Sequence, residues 1–485
     1  MRREFLLNIL FLVFINLLVK PFFIFGIDRT IQNRVGLEEY GIYAALFNFT
    51  FLLSIINDFG IQTFNNQHIS QQKERLTSYF PNILILKLLL GFTYTFVVGI
   101  AALFLGYAQS YSQLLGFLII NQILLSAILY FRSNISALGF YRTDSFMTIL
   151  ERVLLISICA ILLWANPFAA PFQIAWFIYA QTCSLTITAI VAFVLVYRQV
   201  PSFQFQLDLK VLRGLLKKSA PFALVIFLMT VYTRIDFVMI ERLLVEGKKE
   251  AGIYAAAYRL LDAVNMIGLL FVGLLLPMFA RLLKEKLPFV PLLQMSARMM
   301  FCGTISLAIA VCFFRVEIMD LLYVHTDRYA ADVLGVLIFT FILVGGGYIY
   351  GTLLTANNSL KELNKLFFIS VLLNIGLNFY CIPRWGALGA AGTTLLTQLF
   401  AFIGQILIAH KVLQLKTDTL LMGQLLGFAS LMLGLTYLGY WYFPFGWILN
   451  FILTLLLGGI VGFAIKLVNL QWFAALAQKR MMNEK

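Results

Sequence analysis

The chain has 485 residues, of which 61% are hydrophobic and only 12% charged, and its mean hydropathy is +0.90. A soluble domain carries about 25% charged residues, so water is not the main solvent of this surface. The composition leaves no room for a large soluble catalytic or nucleotide-binding domain beside the apolar segments. Five scattered cysteines (Cys159, Cys183, Cys302, Cys312, Cys381) show no C-x-x-C spacing and read as small core residues, neither a disulfide framework nor a metal centre.

A membrane-crossing helix needs about 20 apolar residues. Fourteen segments meet that length: 5–26, 40–63, 80–106, 111–131, 146–165, 172–197, 219–243, 251–280, 288–314, 333–355, 364–382, 387–410, 419–442 and 446–469. The expected fold is an all-α integral membrane protein. Met1-Arg2-Arg3-Glu4 before the first apolar run resembles a signal peptide. That run is too long, is interrupted by Lys20 and lacks a small-residue cleavage pattern, so it reads as the first spanning helix. With both termini in the cytoplasm, Lys and Arg gather in the cytoplasmic loops. Topology then accounts for the net charge of +14 without any nucleic acid.

Ionisable residues inside spans are costly and mark function or pairing. In the first span Asn8, Asn16 and Lys20 form one polar stripe, with Lys20 about 22 Å along the helix. It lines a cavity or snorkels outward, and Pro21 kinks the helix behind it. Asp58 in the second span stacks with Thr50 and Ser54 at i+4 spacing. It carries a coupling proton or sodium ion, or pairs with a cation on another helix. Lys87 and Arg152, nearer the cytoplasmic ends, are expected to snorkel.

Arg234 and Asp236 in the seventh span are two residues apart and so face different ways. Arg234 is the candidate for cargo and Asp236 for ion coupling. Arg259, Asp262 and Asn265 share one face of the eighth span, with Arg259 about 12 Å below the outer surface. A guanidinium there grips a pyrophosphate through paired donors, or closes locally on Asp262. Arg298 in the ninth span is a further cavity candidate. Gly345-Gly346-Gly347 in the tenth span reads as a hinge or a close-packing point. His68, His325 and His410 lie far apart with no metal-ligand spacing, and no cofactor motif or Walker A pattern is present.

The chain also repeats itself. Glu39-Tyr40-Gly41-Ile42-Tyr43-Ala44-Ala45-Leu46-Phe47 and Glu250-Ala251-Gly252-Ile253-Tyr254-Ala255-Ala256-Ala257-Tyr258 are identical at six of nine positions, 211 residues apart. An offset of six spans keeps both copies in one orientation. That is the mark of parallel repeats about an axis along the membrane normal, with a transport site between lobes. The expected division is a lobe over 1–200 (spans one to six), a lobe over 201–412 (spans seven to twelve), and 413–485 with two further spans and a cytoplasmic tail.

These residues also carry a family resemblance over about 1–410. Val35-Gly36-Leu37-Glu38-Glu39-Tyr40-Gly41-Ile42-Tyr43, Asp58-Phe59-Gly60, Ala137-Leu138-Gly139-Phe140-Tyr141-Arg142 and Lys218-Ser219-Ala220-Pro221 come first in order. Arg234-Ile235-Asp236, Ala251 to Leu260, Leu276-Pro277, Leu373-Asn374-Ile375-Gly376-Leu377-Asn378 and Ile382 to Gly392 follow. Together they resemble the polysaccharide-transport branch, the O-antigen and capsule repeat-unit flippases, of the multidrug/oligosaccharidyl-lipid/polysaccharide (MOP) exporter superfamily. The resemblance implies two six-helix lobes around a central cavity lined by spans one, two, seven and eight. It implies an undecaprenyl-diphosphate-linked glycan as cargo in the bacterial inner membrane, moved by alternating access. With no Walker A pattern, the energy is expected from an H+ or Na+ gradient, the membrane potential or consumption of the product outside, and polysaccharide assembly proteins are candidate partners.

Three rival readings stand beside it. A multidrug antiporter of the same superfamily prefers a cavity rich in carboxylates, whereas basic residues outnumber acidic ones inside these spans. A lipid II flippase differs only in cargo. A polytopic glycan polymerase or glycosyltransferase needs a large outer loop with catalytic carboxylates. The longest one here, Arg315 to Asp332, is short but contains Glu317, Asp320, Asp327 and Asp332.

Overall fold

The computed structural model describes residues 19, 21–62, 76–167, 169–199, 209–415, 418–465 and 467, and among these no strand occurs. A π-helical turn, Phe23–Asp28, leads into α1 (Arg29–Leu52), followed by α2 (Ile55–Asp58), α3 (Leu76–Phe104), α4 (Tyr107–Ser110) and α5 (Ser112–Ala137). Next come α6 (Tyr141–Ala160), extended by a π-turn over Ile161–Ala165, α7 (Ile174–Tyr197), α8 (Leu209–Leu243) and α9 (Gly247–Lys284). The rest is α10 (Val290–Phe313), α11 (Arg315–Leu322), α12 (Arg328–Leu337), α13 (Thr340–Ala356), α14 (Leu360–Leu413), α15 (Thr419–Tyr442) and α16 (Trp447–Ala464).

Among the described residues, twelve helical segments are long and apolar enough to cross a membrane. They correspond to thirteen of the fourteen expected crossings. The first lies mostly outside the described residues, and α14 contains both the eleventh and the twelfth, broken at Gly386 (φ 57°, ψ −137°). The expected outer loop over 27–39 is instead helical on both sides of a single break at Gly36 (φ 84°, ψ 172°), a conformation that only glycine adopts without strain. Its charged residues suggested a loop, yet Asp28 there is 2% exposed and accepts a hydrogen bond from the Tyr40 hydroxyl (2.8 Å).

The helices turn apolar faces outward. On α3, Leu88, Leu89, Phe92, Phe96 and Phe104 are exposed while Leu86, Tyr94, Val98 and Ala102 are buried. Such a surface has lipid for its solvent.

By its contacts the chain forms two compact units, Met1–Gly252 and Ile253–Lys485. In the first, α1 packs on α8, and α7 packs on α5 and α6. Phe80, Tyr130, Phe131, Met147 and Val196 fill its core. The two copies of the repeat meet in this unit. A Cβ added at Gly41 would overlap the carbonyl oxygen of Lys248, and one added at Gly252 would overlap the carbonyl oxygen of Leu37. The Gln32 amide also donates to the Gly252 carbonyl (3.2 Å). Nearby, Tyr107 of α4 donates to Glu241 Oε2 (2.8 Å), and Arg242 lies over its ring (3.8 Å). Burial, with the Glu241 charge second, pushes the Tyr107 phenol well above its ordinary range.

In the second unit α10 is central, packing on α13, α15 and α16. Met300, Phe301, Ile305, Ile349, Leu353, Phe428 and Met432 make its core. The three glycines of the tenth span settle as packing points inside a continuous helix. Gly345 sits against Met300 and Thr304, and Gly346 against Phe301 and Phe402. The stretch over 315–332, expected as an outer loop, is largely helical, and three of its acidic residues hold structure together. Asp327 caps α12 through the Ala330 N–H (3.1 Å), Asp332 pairs with Arg315 (3.0 Å), and Glu317 accepts from the Tyr440 hydroxyl (3.1 Å).

Candidate functional site

The best-defined polar cluster of the first unit lies where α2 ends. After Asp58 the chain turns into a left-handed conformation at Phe59 (φ 49°, ψ 27°); the Phe59 N–H bonds to the Ile55 carbonyl, and the Asn57 carbonyl meets side chains of other helices. Lys87 of α3 occupies that end. Its ammonium donates to Asp58 Oδ1 (2.6 Å), to the Asn57 carbonyl (3.1 Å) and to Ser126 Oγ of α5 (2.7 Å), with the Ser126 carbonyl at 3.4 Å. Ser126 in turn donates to the Asn57 carbonyl (3.0 Å). The Lys87 side chain is 7% exposed and that of Asp58 24%. Lys87 therefore does not snorkel, contrary to expectation, because a broken helix end offers it oxygens inside the protein.

The α8 and α9 residues lie on partly polar faces. Arg234 is half-buried on the same face as Phe227, Thr230 and Val231, whereas Asp236, two residues on, is fully buried. The two point different ways, as their spacing requires. On α9, residues 251–258 are all buried, and then Arg259, Asp262 and Asn265 are half-buried in succession. A stripe carrying one guanidinium, one carboxylate and one amide thus opens in an otherwise apolar helix. Asn16 and Lys20 lie outside the described residues.

Arg298 has a different setting. Its Nη2 lies 3.8 Å from Asp418 Oδ2, with the arginine side chain 13% exposed. The same carboxylate accepts from Gln294 Nε2 (2.9 Å) and, through Oδ1, from the Leu421 N–H at the start of α15 (2.9 Å). Asp58 and Asp418 are thus the carboxylates that meet Lys87 and Arg298.

Two further buried polar groups were not singled out from sequence. Asn374 and Asn378 of α14 are both fully buried, and the Asn378 amide donates to Asn374 Oδ1 (3.1 Å). The signal was available, since an asparagine pair at i, i+4 in an apolar span is a polar stripe like that of the first span. Elsewhere in the same unit Tyr254 and Thr394 share a hydrogen bond of 3.1 Å. Among the described residues no group of His, Cys, Asp and Glu is arranged to hold a metal ion.

Comparison with known proteins agrees with this architecture. The family model described as "Polysaccharide biosynthesis protein" matches residues 5–283. No curated protein matches the chain in sequence. Among solved structures, the lipid II flippase MurJ in an inward closed conformation aligns with TM-score 0.69 at 13% identity, covering 94% of this chain and 97% of that one. An inward-facing multidrug resistance MATE family transporter of the MOP superfamily aligns with TM-score 0.63 at 14% identity, covering 80% and 94%. A MOP superfamily transporter from Pyrococcus furiosus aligns with TM-score 0.55 at 14% identity, covering 81% and 93%. The chain belongs to the polysaccharide biosynthesis protein family, and its fold is that of the MOP superfamily transporters.

Proposed function

We propose that the protein is a flippase that carries an undecaprenyl-diphosphate-linked oligosaccharide, the repeat unit of an O-antigen, capsule or similar polysaccharide, from the cytoplasmic to the outer leaflet of a bacterial inner membrane. The observation that supports this most is the half-buried guanidinium on each of two consecutive helices, Arg234 and Arg259, in a chain of this family. A diphosphate carries two acidic groups, and arginine meets a phosphate with two parallel donors, so the chemistry of each guanidinium suits that headgroup better than a cationic drug. Lys20 and Asn16 on the first span belong to the same reading. Arg298 adds positive charge, although Asp418 already engages it.

The lobes over 1–200 and 201–412 would rock about the repeat axis, with 413–485 appended and the prenyl tail left in lipid. No bond is made or broken. Asp236 and Asp262 are the carboxylates on which an H+ or Na+ gradient would act; Asp58 already has a cation beside it. Both termini face the cytoplasm, and assembly proteins on the outer side receive the product. One solved relative in fold is named a lipid II flippase, and lipid II presents the same diphosphate chemistry, so it is the second cargo to test.

The test is reconstitution in liposomes, with flipping read by access of a membrane-impermeant glycosidase to a fluorescent lipid-linked oligosaccharide. Losing one bidentate contact of about 1.5–3 kcal/mol predicts a roughly tenfold or greater fall in transport for Arg259→Ala and for Arg234→Ala. Transport of lipid II alone would reassign the cargo. Exchange of cationic drugs for H+ or Na+ with no lipid movement would replace the flippase by an antiporter.

A further inference from the structure

The oxygens around Lys87 are those that a bare monovalent cation takes. A carboxylate oxygen, two backbone carbonyls and a hydroxyl lie 2.6–3.4 Å from one nitrogen. The ammonium has three protons, and the three shorter contacts use them all. The end of a helix supplies part of the cage, and helix C-termini favour positive charge. A second observation points the same way. Asn57, whose carbonyl is one wall of the cage, is 2% exposed, and neither polar atom of its side-chain amide makes a hydrogen bond. A buried orphan amide is rare and calls for an explanation. It belongs to the residue whose carbonyl already meets the ammonium.

We infer that Asp58, Asn57 and Ser126 form a monovalent-cation site whose resident cation is the chain's own Lys87 ammonium. The tethered charge neutralises Asp58 without an ion from solution. The wild-type protein therefore binds neither Na+ nor K+ at this place, and removing the ammonium hands the cage to a free ion. The transporter reading bears only on the role of the site, which is to keep the α2–α3–α5 junction neutral whatever the ion gradient. Its occupancy is a separate matter, and the binding test needs no cargo.

The test compares wild type, Lys87→Ala and the Lys87→Ala/Asp58→Asn double variant, purified in choline chloride. Thermal unfolding is followed as NaCl or KCl replaces choline at constant ionic strength. A ligand that binds only the native state raises the midpoint in a saturable way. Lys87→Ala is expected to gain roughly 2 °C or more in one or both salts, and the arm that responds identifies the ion. Wild type and the double variant should show no such gain. A folded Lys87→Ala whose response matches wild type would overturn the inference. So would a Lys87→Ala protein that is recovered in none of the three salts while the double variant, with both charges gone, is recovered. Failure of the flipping assay would leave these outcomes as they are.

Discussion

Lys87 and Arg298 are both membrane-depth cations within reach of an aspartate, but the two pairs are built differently. Lys87 lies 2.6 Å from Asp58 and fills its remaining donors on carbonyl and hydroxyl oxygens. Arg298 stands 3.8 Å from a carboxylate that already accepts from Gln294 and from the first turn of α15. Asp58 is a counter-ion at the end of a helix; Asp418 is a cap at the start of one, with a cation nearby. The lesson is that depth in the membrane does not assign a charge its job. What matters is whether a neighbouring helix end leaves oxygens or N–H groups to be satisfied.

The largest effect expected from this difference is on stability. Asp58→Ala leaves an ammonium buried without its carboxylate and should cost about 3–5 kcal/mol, read by denaturant or thermal unfolding in detergent. Asp418→Ala removes a cap and a long ion pair and should cost about 1 kcal/mol. Equal losses would erase the distinction. Double-mutant cycles sharpen it further. The Asp58/Lys87 coupling should exceed about 1.5 kcal/mol, whereas Arg298/Asp418 should fall below about 0.5 kcal/mol. Smallest of all, Gln294→Met should shift stability by about 1 kcal/mol or less, since Asp418 keeps the Leu421 N–H. A larger loss would mean that Gln294, and not the cap, positions that carboxylate.

Much of the fold was legible because hydropathy is a direct record of the solvent. Hydropathy put the eleventh and twelfth spans at 364–382 and 387–410, and the break falls at Gly386 between them. The nonamer repeat marked two segments that touch. Other features were hidden for physical reasons. Asp28, Arg29, Arg34, Glu38 and Glu39 gave 27–39 the composition of a loop, while only Gly36 interrupts the helix there. Lys87 lies near a span end and looked free to reach water; the oxygens that turn it inward belong to residues 57, 58 and 126, which no local window joins to it. Asn374 and Asn378 carried the right spacing but nothing to say which side of α14 is buried. For Arg234 and Arg259 the sequence spoke of helix faces alone, and both side chains are half-buried.

The glycine contact between the repeats has one more implication. Gly41 meets residue 248 and Gly252 meets residue 37, and both partners are related by the same 211-residue offset as the glycines themselves. Residue i against j, with j's counterpart against i's, is the signature of an isologous, self-complementary interface. Two separate half-length chains bearing this repeat would make the contact through equivalent backbone positions, as a symmetric homodimer does. Duplication and fusion would then have preserved a subunit interface inside one polypeptide, and a side chain at either glycine would offend both halves of it at once.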